Sequence, residues 1–75
     1  FNASTHIRYH LPQAGDVDIS VYDMNGRFIT TLVESHKSSG VHSTVWNSEH
    51  ISSGVYFIKL MSNNHNDVIK CTLIK

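Results

Sequence analysis

Residue types able to do chemistry are plentiful in this chain, but their spacing does not assemble them. Six histidines stand among 75 residues, and imidazole is the commonest metal ligand. His6 and His10 lie four apart in an alternating segment, so they share one strand face. A rise of about 3.3 Å per residue sets them about 13 Å apart. One zinc ion with bonds of about 2.0–2.1 Å cannot take both. The remaining four histidines fall in or beside loops without ligand spacing. His42, near Trp46, reads as a packing or hydrogen-bonding residue. Cys71 has no partner for a disulfide or a CxxC site and reads as a small buried hydrophobe. Serines are many, yet no GxSxG elbow occurs. Asp16 and Asp18 share a face and read as solvated acids on an edge strand. With Asp23 they miss the spacing and the later Glu of a calcium loop. The chain is therefore expected to be non-catalytic, with no metal and no cofactor.

The positions of these residues depend on a small scaffold. Seventy-five residues make one domain, expected to span 1–75. Apolar residues are 40%, enough for one core, and charged residues only 16%. That charge content is below the roughly 25% of an average soluble domain and leans towards a β-rich extracellular module. Six basic and six acidic side chains cancel. No global field draws the chain to nucleic acid or to an anionic membrane. Lys59, Lys70 and Lys75 would approach one another if the last two strands pair. Three lysines there suit the guarding of a sheet edge. No apolar run nears the roughly 20 residues of a membrane span, so no membrane insertion is expected. The chain opens on Phe1 with no basic-then-apolar leader, and is read as cut from a longer protein.

The dominant period is two. Ile7, Tyr9 and Leu11 alternate with His6, Arg8 and His10, and Val17, Ile19 and Val21 with Asp16, Asp18 and Ser20. One set faces a core and the other faces water. No window keeps apolar residues at helical spacing. Pro12–Gly15 ends the first strand. Asn25-Gly26 joins VDISVYD to RFITTLV and predicts a type I′ hairpin with two positive φ angles. The polar stretch from Glu34 to Gly40 closes the third strand. VHSTVW is the fourth, VYFIKLM the fifth and VIKCTLIK the sixth, with turns at 47–54 and 62–67. Positive φ is expected at Gly26 and Gly54. The fold class is all-β: a small immunoglobulin-like antiparallel β-sandwich of about six or seven strands, with a six-stranded barrel as the alternative. The expected core adds Trp46, Tyr56, Ile58 and Leu60, then Ile69, Cys71 and Leu73. Apolar residues on both faces of the fifth strand predict a central position for it.

The order of these elements resembles the C-terminal sorting domain of type IX secretion substrates (type A), found in Bacteroidetes and related bacteria. That family is similar in turn to the immunoglobulin-like domain of the flagellar hook-capping protein. The resemblance rests on Ser4-Thr5 with Ile7 and Tyr9, Leu11-Pro12, Val21-Tyr22-Asp23 with Gly26-Arg27, and Thr31-Leu32-Val33. Gly40, His42, Trp46, Ser53-Gly54-Val55-Tyr56-Phe57 and Lys75 continue it. Of the family's opening Asn-Pro-Phe-Asn only Phe1-Asn2 is present, and Ser48 stands where a glycine is common. The resemblance implies a secretion and cell-surface sorting signal, read as a folded domain by an outer-membrane shuttle and sortase. Cargo would precede it in the same chain, and the place of action would be the surface or surroundings of a Gram-negative bacterium, reached through the periplasm. Gly54, Val55 and Tyr56 with Lys70 and Lys75 would form the recognition surface, while Trp46, Tyr22 and Gly26 serve the structure. The competing reading is a passive adhesive, carbohydrate-binding or assembly module. An exposed platform built on Tyr22 and Phe57 would favour its glycan form.

Overall fold

A computed structural model describes residues 4–63 and 65–74. Six strands follow in order: β1 (Ser4–Leu11), β2 (Gly15–Asp23), β3 (Phe28–Lys37), β4 (Gly40–Asn47), β5 (Gly54–Ser62) and β6 (His65–Leu73). No described residue is helical. Strands β1 and β4 pair as a two-stranded sheet, and β3-β2-β5-β6 form a four-stranded one, all antiparallel. This is a sandwich, not a barrel. In immunoglobulin terms β1 and β4 take the B and E places, and the second sheet runs C′-C-F-G.

Alternation places the core as expected. Ile7, Tyr9, Leu11, Val17, Ile19, Val21, Trp46, Tyr56, Ile58 and Leu60 are buried between the sheets with Leu73. As its two apolar faces require, β5 is central, between β2 and β6. The expectation for Ile69 needs correction, because it is 44% exposed. Two strands cannot roof four. Ile69 lies where β6 overhangs β1, in a cleft of about 210 Å³ shared with Tyr9, Ile58 and Leu60. Cys71 is half-buried against the core.

Other differences have backbone causes. The Asn25-Gly26 hairpin exists, but Gly26 alone takes a left-handed φ, at 83°. Gly26 N donates to Asp23 O (3.0 Å) and Asp23 N to Arg27 O (2.9 Å). That is a three-residue loop ending in a left-handed glycine, not a type I′ turn. Asp23 selects it: its Oδ1 accepts from the N–H of both Asn25 and Arg27, each at 2.9 Å. Strand β3 runs on through Glu34–Lys37, because Asp18 to Gly15 pair with those residues in order. Ladder bonds are made by backbone, and a strand at the sheet's edge needs no apolar side chain. For the same reason β6 begins at His65, opposite Ser62, within the expected turn. Asp16 and Asp18 therefore lie on a central strand, not an edge. Ile29 and the doublet Leu32-Val33 break the alternation of β3. The register shifts there, and all three pack partly on the core.

The sheets meet at an aromatic pair. Trp46 of β4, 1% exposed, stands edge-to-face on Tyr56 of β5, with ring centroids 5.4 Å apart. The Tyr56 hydroxyl donates to Ser52 O at 2.7 Å. A tyrosine near the start of this strand, bonded back to the preceding loop, is the tyrosine corner of immunoglobulin-like sandwiches. Ser48, fully buried, sits in the same loop and accepts from Ile51 N at 3.0 Å.

Two stability predictions follow from this packing. Trp46→Ala should cost about 3–5 kcal/mol, most of the stability of so small a domain, and Tyr56→Phe about 1 kcal/mol. Urea unfolding of each variant measures both. Burial also pushes the Tyr9 phenol above its ordinary 10.0. Folding then holds that proton more tightly, so the stabilisation is complete below pH 10 and is lost as pH rises towards the folded value. Tyr9→Phe should flatten the fall in melting temperature between about pH 9 and about pH 11. An unchanged slope would assign that fall to other groups.

Candidate recognition face

The site expected from the sequence falls on the β5–β6 ladder. Gly54 pairs with Leu73, Val55 with Thr72, Tyr56 with Cys71 and Phe57 with Lys70. Period-two alternation then divides the set. Val55, Phe57, Lys59 and Met61 point away from the core, whereas Tyr56, Ile58 and Leu60 point into it. Val55 and Lys70 thus share the outer face of the four-stranded sheet. Tyr56 does not; it is 8% exposed and committed to the corner. Gly54 has a φ of 159°, close to extended, at the first position of β5. Lys75 lies outside the described residues.

The outer face has more on it than the sequence singled out. Reading across one row gives Phe28, Tyr22, Phe57 and Lys70, and the next gives Thr31, Ser20, Lys59 and Val68. Tyr22 meets Phe28 edge-on at 5.9 Å, and Lys59 Nζ stands 4.4 Å above the Tyr22 ring. A cation over an aromatic face is attracted by its quadrupole, by about 0.5–1 kcal/mol at exposed sites. Lys59 lies over its neighbours, and Ser20 beneath is only 5% exposed. Ser20 Oγ donates to Asp18 Oδ1 at 2.6 Å. Further along the face, Asp16 Oδ1 faces His36 Nδ1 at 3.3 Å in an exposed pair. Neither Lys59 nor Lys70 has an ion-pair partner among the described residues. Lys59 and Lys70 are diagonal neighbours, as strand pairing required.

Phe28 was missed from the sequence. The clue was the loop length: a three-residue turn, unlike a two-residue one, sets Phe28 opposite Tyr22. The glycan platform expected on Tyr22 and Phe57 is not an open one. Phe28 meets Tyr22 edge-on and Lys59 covers a face, so no flat pair of rings is presented.

Among the described residues no three His, Cys, Asp or Glu side chains converge as metal ligands. His42 stacks on Tyr9 at 5.5 Å, and its Nε2 lies 2.7 Å from Ser38 O. Among the described residues no helix is long and apolar enough to cross a membrane.

No curated protein and no solved structure matches the chain. A family model does match, that of the secretion system C-terminal sorting domain, over residues 2–75. The match covers nearly the whole sandwich, including β5, β6 and the outer face they build. The chain belongs to the secretion system C-terminal sorting domain family, the sorting signals of type IX secretion.

Proposed function

We propose that this domain is a non-catalytic signal read in its folded state by an outer-membrane shuttle and then by a sortase of the type IX apparatus. Cargo preceding it in the same chain crosses the outer membrane with it. The sortase then cuts the domain away, and the cargo is released or joined to a surface lipopolysaccharide. The observation that supports this reading is the family match over residues 2–75. The recognition surface is Gly54 and Val55 with Lys70, and with Lys75 at the end of the sequence; Tyr56 acts from beneath. A mostly rigid patch suits such a role, because little ordering entropy is lost on binding. Val55 and Lys70 sit on paired central and edge strands, held from below by Tyr56.

The passive or adhesive alternative receives no specific support. Its glycan form needs an open aromatic platform, and Tyr22 is already covered by Lys59.

The test is a fusion. The whole chain is joined to the C-terminus of a fluorescent protein that carries a Sec signal. It is expressed in a host with a working type IX apparatus and in a mutant lacking it. Fluorescent protein should leave only the competent host, and intact mass should show it shortened by the loss of this domain. Retention in the periplasm of both hosts, with the domain folded, would contradict the reading. Normal export of a Lys70→Ala, Lys75→Ala fusion would remove those two residues from the recognition surface.

A further inference from the structure

The outer face of the β3-β2-β5-β6 sheet is an apolar ridge with two cations and no acid at its β5–β6 end. Phe28 is 59% exposed, Met61 52% and Val68 55%, all on this face. A domain with so small a core leaves these groups in water while its sandwich interior is filled. The charges are also segregated. The chain is neutral, with six of each sign. Lys59 and Lys70 flank the aromatic row, which holds no acid; Asp18 and Glu34 lie in the row beyond Lys59, beside Met61, and Asp16 lies further on.

We propose that this face docks an acidic patch on a partner protein, with apolar side chains of the partner seated over Phe28 and Phe57 and its carboxylates on Lys59 and Lys70, while Tyr22 holds the Lys59 ammonium from beneath. The proposal rests on the sorting reading for its setting and adds Phe28, Tyr22 and Lys59 to the surface read there. Three features select this occupant. An extended polyanion or an anionic bilayer would cover the whole face and meet Asp16, Asp18 and Glu34; a localised acidic patch does not. Four strands about 4.8 Å apart and about 30 Å long give a face of roughly 500 Å². The aromatic and lysine rows are about half of that, so a complex buries roughly 500 Å² in total, well below stable interfaces and fit only for a weak, transient encounter. That suits a signal handed from one component to the next better than a permanent second copy. Finally, Lys59 is already held over Tyr22, so its ammonium is positioned before the partner arrives.

The test uses residues outside the set assigned to the sorting reading. One fusion carries Phe28→Ser with Lys59→Glu. A control carries Val41→Ser with Arg8→Glu, the corresponding apolar-to-serine and cation-to-glutamate changes on the two-stranded sheet, where both residues are exposed. Circular dichroism and urea unfolding confirm that both fold. Export of the face variant should fall at least about tenfold, as for a lost charged anchor, while the control stays within about twofold. Equal export of the two overturns the proposal and leaves the sorting reading intact. Retention of the wild-type fusion in the competent host sinks the sorting reading alone, and a second arm then decides the face. In that arm a photo-crosslinking phenylalanine replaces Phe28. The expected adduct is a protein, linked through a segment rich in Asp and Glu, lost with Lys59→Glu and regained when those partner acids become lysine. An adduct to a second copy, a lipid or a glycan, or none at all, overturns the proposal.

Discussion

The contact between Trp46 and Tyr56 is the constraint on which the rest of this structure depends. The lone Cys71 rules out an internal disulfide, so the two sheets are joined by side chains and connecting loops. Trp46 comes from the two-stranded sheet and Tyr56 from the four-stranded one, and they meet edge-on. Burying an indole of this kind removes about 150–250 Å² from water, at most about 4–6 kcal/mol. The Tyr56 hydroxyl then fixes the loop before β5 by its bond to Ser52 O. Ser48, buried where the loop leaves β4, needs a small side chain for the same closure. The burial that closes the core therefore also sets where β5 begins.

Strand β5 carries that order to the outer surface. It pairs with β2 on one side and β6 on the other. Fixing its register fixes which residues form each outer row. A shift of one residue would send Tyr56 to water and Phe57 to the core. The inward and outward faces of β5 are thus one decision. Tyr56 keeps Val55, Phe57 and Lys59 on the outer surface without reaching it.

Much of this was legible in the sequence, for a physical reason. Where one face is buried and the other wet, apolar alternation sets the register. Ile7 to Leu11, Val17 to Val21 and Tyr56 to Leu60 follow it directly. The bias of β5 towards apolar residues on both faces marked it as central. What was less legible depended on backbone or on neighbours. Glu34–Lys37 and His65–Asp67 are polar and still pair, because ladder bonds do not need apolar side chains. The fine geometry at Asn25-Gly26 was set by the Asp23 carboxylate, which no dipeptide rule includes. Ile69 had the right parity, but its exposure depended on how many strands roof the second sheet. Phe28 joined the outer row only once the loop length was known. Gly54, Val55 and Lys70 carry no chemical signature of their own, and only the resemblance singled them out.

The central claim is that the folded sheet, and not a linear stretch of β6, is the signal. A fusion bearing Trp46→Ala tests it most directly, since every residue of β5 and β6 is retained while the clamp between the sheets is lost. Export from a type IX-competent host is measured beside the domain's near-ultraviolet circular dichroism. The account predicts that export is lost together with the folded signal. It further predicts that both return when low temperature or a stabilising osmolyte refolds the variant. Export at the wild-type level from a domain shown to be unfolded would contradict it.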